Sequence, residues 1–208
     1  MSNNHAFEDN AARYDRWFDR NTHIFQSELA ALKDFIPENT RGLEVGAGTG
    51  RFGPALGILE GVEPSKKMGE MAMQRGMMIV EGVGEELPYD DEYFGVVLMV
   101  TTVCFLDDIE KAFSEAYRVL RKGGYLVLGF IDKDSWLGCR YMKGREEPFY
   151  SSATFFSPRE IIALLEEAGF RGFAVKQTLF KDLDGMEETQ PVKEGYGEGA
   201  FVALKCSK

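Results

Sequence analysis

Residues 42–50 read Gly-Leu-Glu-Val-Gly-Ala-Gly-Thr-Gly, a short apolar stretch that runs into three glycines at alternate positions. Few local structures accept that pattern. Glycine adopts positive φ without penalty and carries no Cβ, so a strand can end here in a tight turn and pass straight into a helix. The unpaired amides of that helix's first turn then face outward as hydrogen-bond donors.

The spacing narrows the ligand. A dinucleotide-binding turn reads GxGxxG, which would require a third glycine at position 51; Arg51 stands there, and the glycines fall at 46, 48 and 50. Glu44, two residues before the first of them, would repel a pyrophosphate but suits a ligand that carries an ammonium group. A second acid points the same way. Gly61-Val62-Glu63-Pro64-Ser65 ends an apolar stretch on a carboxylate that can accept from both hydroxyls of a ribose. Charge-assisted bonds of that kind contribute about 1.5–3 kcal/mol each. The nicotinamide pattern also places an acid after its second strand, but about 20 residues beyond its glycines. Glu63 follows Gly50 by 13 residues, which leaves room only for a short helix, itself interrupted by Pro54.

Periodicity supplies the scaffold. Phe7, Tyr14, Trp17, Phe18, Phe25, Leu29, Leu32 and Phe35 recur at mostly helical spacing and predict two amphipathic helices, a cover over residues 1–37 ended by Pro37. Strands are expected at 42–45, 58–63, 77–81, 94–100, 125–131, 171–180 and 200–206. The fourth, Phe-Gly-Val-Val-Leu-Met-Val, is apolar nearly throughout, as a strand buried on both faces of a parallel sheet should be. Between them the sequence predicts a brief helix from Arg51 and one over 65–75 with Ser65 as N-cap. A third spans 107–121, capped by Gly123-Gly124, and a fourth opens at Ser157-Pro158-Arg159-Glu160. This alternation implies one α/β domain over residues 1–208, doubly wound, with its ligand at the carboxyl ends of the strands. Residues 132–154 and 181–199 fit no periodic template; the first is read as a substrate lid.

Composition mainly excludes. With 34 acidic against 24 basic residues the formal net charge is −10, and no basic run offsets it, so nucleic acid is a poor partner. Cys104, Cys139 and Cys206 are far apart and lack a CxxC pair or a histidine cluster, so no metal site is expected. Their odd number, with neither a signal-like segment nor an apolar run of spanning length, suggests reduced thiols, a cytoplasmic location and no membrane partner.

Six stretches then act together: FEDNAARYDRW (7–17), GLEVGAGTGRF (42–52), GVEPSKKM (61–68), EELPYDDEYFGVV (85–97), RVLRKGGYLVLG (118–129) and FSPREIIALLEEAGF (156–170). The chain resembles the class I methyltransferases that use S-adenosylmethionine (SAM), in particular the small single-domain group with a ubiquinone-biosynthesis-like core. The resemblance implies a Rossmann-like, seven-stranded sheet, mostly parallel with an antiparallel last strand. It also implies transfer of a methyl group from SAM to a small-molecule acceptor by in-line displacement. Carried over position by position, it puts Glu44, Gly46, Ala47, Gly48 and Gly50 around the methionine part of SAM and Glu63 on the ribose. Pro64 and Ser65 would lie beside the adenine, Gly84 and Glu85 at its edge, Val100 and Thr101 at the reacting end, and Tyr14 over the methionine moiety. Two positions depart from the pattern. Val83 stands where an acid often accepts from the adenine amino group, and Gly95 where an aspartate often opens the fourth strand.

The acceptor is less legible. A general base is needed only if the nucleophile carries a proton at neutral pH, and His5, His23, Asp132 and Tyr14 are the candidates. Trp136, Tyr141, Phe149, Tyr150, Phe155 and Phe156 suit an apolar or cationic acceptor, whereas Arg140 and Arg145 suit an acidic one. Thr101-Thr102-Val103-Cys104 replaces the Asn/Asp-Pro-Pro-Tyr loop associated with amino-methylation of DNA bases, which favours a small molecule. The remaining readings are a SAM-binding protein without transferase activity, an NAD-dependent oxidoreductase and a polyamine-transferring relative, in a monomer or a homodimer.

Overall fold

Apolar runs become strands where both faces can be covered. In the computed structural model, which describes residues 4–144, 150 and 153–208 and side chains from residue 7 onward, β4 (Phe94–Val100) is buried at every position. Beside it lie β1 (Gly42–Val45), β2 (Glu60–Val62), β3 (Met78–Val80), β5 (Leu120–Ile131), β6 (Arg171–Thr178), β7 (Lys193–Glu194) and β8 (Phe201–Ser207). Their order is β3-β2-β1-β4-β5-β8-β6-β7. Neighbours from β3 to β5 are parallel, and β8 runs antiparallel between β5 and β6. The seven expected strands are therefore present, the last one antiparallel. The two-residue β7, paired antiparallel to β6, is an eighth, inside the connection that fits no periodic template. Strand order reverses between β1 and β4, which opens a crevice above their carboxyl ends.

Helices cover both faces. They are α1 (Asn4–Arg20), α2 (Thr22–Lys33), α3 (Phe52–Ala55), α4 (Lys66–Gln74), α5 (Ile109–Val119), α6 (Trp136–Lys143) and α7 (Pro158–Glu167). Side chains alternate along a strand, so Val97 and Met99 of β4 pack with Phe113 of α5 and Ile161 and Leu165 of α7. Val96, Leu98 and Val100 face the other way, toward Phe18 of α1, Leu32 of α2 and Leu137 of α6. The helix starts expected from the sequence are capped. Ser65 Oγ accepts from Met68 N, and Asp108 accepts from Lys111 N. Ser157 and Glu160 form a reciprocal capping box at the start of α7.

Two expectations change. α5 ends at Val119 with Leu120 already extended, so Gly123-Gly124 lies within β5, not at a helix cap. Gly123 there takes φ 74°, opposite a register shift between Phe94 and Val96. The 132–154 connection contains α6, whose aromatic crowding hides a helical stripe.

Ions as well as packing hold α1 in place. Asp15 accepts from Thr49 Oγ1 (2.7 Å), Arg51 Nε and Nη2 (2.8 and 2.7 Å) and Arg75 Nη2 (2.9 Å). Burial disfavours its ionised form, but these donors outweigh that cost and hold its pKa down at about 2. A depressed carboxylate contributes stability above its unfolded pKa of about 3.9 and loses that contribution as pH falls toward the folded value. Asp15→Ala, which removes one charged partner from each of two guanidinium groups, should lower the unfolding free energy by about 1–3 kcal/mol in urea titration at pH 7. A loss below about 0.5 kcal/mol, the usual range for surface substitutions, would contradict this role. Ser157→Ala should cost about 1 kcal/mol in the same assay, and no measurable loss would mean that the capping box is idle.

Candidate active site

The glycine turn after β1 is sewn to β2. Gly46 N and Ala47 N both donate to Val62 O, at 2.8 and 3.1 Å. Gly46, Gly48 and Gly50 take φ of 69°, 54° and 75°, the left-handed region that the sequence pattern requires. Their surroundings separate their roles. A Cβ on Gly46 would lie 2.6 Å from Thr102 Cγ2, and one on Gly50 would lie 2.9 Å from Ala72 Cα. At Gly48 the nearest atom would be Tyr14 Cε1 at 3.8 Å. Gly46 and Gly50 are thus required by the protein's own packing, while Gly48 opens on free space.

Glu63, at the end of β2, is fixed from two sides. Its Oε2 accepts from Gly48 N (2.8 Å) and its Oε1 from Ser65 N (2.9 Å). Burial raises its pKa, and both amides oppose that rise. Above it lies a cleft of about 810 Å³ lined by Tyr14, Gly46, Gly48, Glu63, Pro64, Gly84, Glu85, Val100 and Thr101. Phe7, Met68, Phe105, Leu106 and Asp107 also line it, and the sequence had not marked them as ligand contacts; Val83 sits at its half-open rim. Glu85 Oε1 accepts from Asp107 N (2.8 Å) and Asp108 N (3.2 Å), which ties the loop after β3 to the loop after β4. Among the described lining residues the charged groups are Glu63, Glu85 and Asp107, all acidic. Such a cleft is unsuited to pyrophosphate.

Four expected cofactor residues lie behind this lining. Glu44 points to the opposite face of β1, where its Oε2 accepts from Gly53 N (3.0 Å). Burial, with Glu63 nearby, pushes it up to about 8 against the Gly53 bond. Ala47 packs with Ala72 and Met77, and Gly50 meets the same pair. Ser65 caps α4, and its Oγ donates to Glu8 Oε2 (2.6 Å).

A second cavity, of about 950 Å³, shares Phe7, Tyr14, Thr101 and Phe105 with the cleft. Thr101 takes φ 53° at the end of β4, a strained setting for a β-branched residue that costs on the order of 1–3 kcal/mol. Its side chain hydrogen-bonds Tyr14, whose phenol is kept neutral by burial. The far walls are aromatic: Trp17, Phe52, Phe130, Tyr141, Tyr150 and Phe155. Tyr141 and Tyr150 stack with ring centroids 4.2 Å apart.

Of the base candidates, Tyr14 stands in the shared wall. His23 is exposed and lines neither cavity. Asp132 is buried but accepts from Asp134 N (3.0 Å) at the approach to α6, also outside both linings. Arg140 pairs with Asp182 (3.1 Å) and Asp184 (3.5 Å) and is outside both linings. The His5 side chain, Arg145 and Phe149 lie outside the described residues. Glu28, on α2, lines the second cavity, and nothing in its local sequence sets it apart from any helix glutamate. Among the described residues no group of three or more His, Cys, Asp or Glu could hold a metal ion, and no helix is long and apolar enough to cross a membrane.

Residues 43–128 match the family model of a methyltransferase domain. An uncharacterized protein of Methanocaldococcus jannaschii is 44% identical over 98% of both chains. One from Mycobacterium tuberculosis is 38% identical over 94% of this chain and 71% of its own. A crystal structure of a SAM-dependent methyltransferase from Thermotoga maritima, described as a possible histamine N-methyltransferase, shares the fold with a TM-score of 0.96. It is 50% identical and covers 99% of each chain. Full-length likeness at that identity, on a sheet whose switch point carries the glycine turn, settles membership: this chain belongs to the SAM-dependent methyltransferases.

Proposed function

We propose that the cleft holds SAM and that a small molecule in the second cavity receives the methyl group across the wall formed by Tyr14 and Thr101. The observation that carries this reading is the shared wall itself. One compartment is faced with a glycine turn and a fixed acid, the other with aromatic rings, and Phe7, Tyr14, Thr101 and Phe105 belong to both.

The residues present fit SAM. Gly48 leaves open the volume that a Cβ would fill, so backbone can approach a ligand there. Glu63, held by two amides, keeps lone pairs for a ribose diol without having to reorient. Pro64 and Leu106 offer an apolar slot for the adenine, Gly84 and Glu85 offer backbone at its edge, and Val83 leaves its amino group to that backbone. The absence of a basic side chain from the described lining suits a cofactor without phosphate.

When bound, SAM supplies a sulfonium-activated methyl group, so the protein's task is alignment and exclusion of water. Fixed geometry alone can supply effective molarities on the order of 10⁵–10⁸ M. Tyr14, neutral and hydrogen-bonded to Thr101, holds the wall at which donor and acceptor meet. The aromatic rings keep the acceptor side dry. In this reading residues 1–208 act as one domain, with the described part of the first 37 residues as cover and the described part of 132–154 on the acceptor side.

Titration calorimetry with SAM, S-adenosylhomocysteine and NAD in parallel tests the assignment. The two sulfur ligands should bind and NAD should not, and SAM should be converted to S-adenosylhomocysteine with small-molecule acceptors. Glu63→Ala should weaken both sulfur ligands by roughly 10- to 100-fold, the loss of one or two charge-assisted bonds. Unchanged affinity would remove Glu63 from the ribose, and NAD binding would restore the oxidoreductase reading.

A further inference from the structure

One buried acid has no part in the methyl-donor site. Glu28 is 5% exposed on α2 and lines the aromatic cavity. Among the described residues it has neither a hydrogen bond nor an ion pair. Its neighbours supply none. The adjacent Ser27 hydroxyl donates to His23 O (2.7 Å) and accepts from Gln190 N (2.9 Å). The other titratable groups facing the cavity are Tyr14 of α1, Cys104 after β4, Tyr141 of α6 and Tyr150, and burial raises the pKa of each, so that all stay neutral. No Lys, Arg or His is among its described lining residues. On the strands packed under α2, Lys176 is engaged by Asp34 (2.6 Å) at the helix's C-terminal end, and Lys205 lies over the rings of Phe35 and Tyr125.

A carboxyl group in such a place is destabilising as an anion unless something pairs with it. Burial alone pushes Glu28 up to about 8, the behaviour of an acid without a compensating partner. The rest of the cavity completes the requirement. Aromatic rings attract cations, most strongly where water is excluded, and Trp17, Tyr141, Tyr150 and Phe155 line the same space. Carboxylate and rings together form a receptor for a positive charge on an apolar body.

We propose that the acceptor is a small organic amine, its protonated nitrogen held by Glu28 and its apolar or aromatic body set against the cavity's rings. This rests on the second cavity's being the acceptor compartment. Selectivity follows from the chemistry. A protonated amine stabilises the Glu28 anion that burial otherwise disfavours, whereas a carboxylate-bearing molecule opposes that anion and a neutral alcohol leaves it without a cation. Glu28 fixes one end of the acceptor, and the atom that then faces Tyr14 and Thr101 is the one placed for methylation.

The test is calorimetric titration of the full chain, with and without saturating S-adenosylhomocysteine, using 2-phenylethylamine, its neutral isostere 2-phenylethanol and the anion 3-phenylpropionate. The amine should bind at least tenfold more tightly than the alcohol, and the anion should not bind. Glu28→Gln should weaken the amine tenfold or more and erase its advantage, with S-adenosylhomocysteine affinity unchanged. Equal binding of the three by the wild type, no saturable amine binding, or an amine preference that survives Glu28→Gln would overturn the proposal. The wild-type series decides the question even if the variant fails to fold. Failure of S-adenosylhomocysteine to bind, with Glu28-dependent amine binding intact, would refute the cleft assignment alone.

Discussion

The carboxylate of Asp15 is the point at which this molecule closes. It gathers the glycine turn through Thr49, the start of α3 through Arg51 and the end of α4 through Arg75, and all three contacts come from a single residue of α1. Charge-assisted bonds of this kind are roughly twice as strong as neutral ones. Arg51 also reaches Asp19 (2.9 Å), one helical turn on, so α1 is fixed in rotation as well as position. The consequence lies one residue away. With Asp15 clasped, Tyr14 is aimed over Gly48 and hydrogen-bonded to Thr101, and its ring becomes a partition between two cavities.

The buried acids around that partition differ in the partners they meet. Asp15, among guanidinium groups, is driven firmly toward the anion. Glu63 receives two backbone amides, enough to orient it but not to cancel its burial. Glu44 receives one and is pushed up to about 8. Glu28 receives none. Asp15 and Glu44 face inward and brace the frame, whereas Glu63 and Glu28 each face a cavity and keep capacity for a ligand. Burial is shared by Glu28, Glu44 and Glu63, so what separates Glu63 and Glu28 from Glu44 is the cavity that each of the two faces.

What could be read from the sequence was local. β1 and β4 carry their burial in their composition, and Ser65, Asp108 and Ser157 announce helix starts because a cap bonds to residues three positions on. The glycine turn and Glu63 were legible for the same reason, since one short stretch contains the backbone and the acid that need each other. What escaped was long-range. Asp15 meets partners 34, 36 and 60 positions away, and nothing in its own segment distinguishes it from Asp9 or Asp19. Glu28 acquires its setting only when α2, α6 and the segment after β4 converge. Glu44 shows a subtler limit: proximity to the turn suggested contact with a ligand, but strand alternation turns its side chain to the face that Gly53 occupies. β7 was hidden because two residues carry no period.

A crystal structure with S-adenosylhomocysteine bound would examine the two-compartment arrangement at once. The ribose hydroxyls should lie within hydrogen-bonding distance of Glu63, and the adenine should lie between Pro64 and Leu106. The sulfur should face Tyr14 and Thr101 at the opening into the aromatic cavity. A ligand seated elsewhere, or in the cleft with its sulfur turned away from that wall, would contradict the division into donor and acceptor compartments.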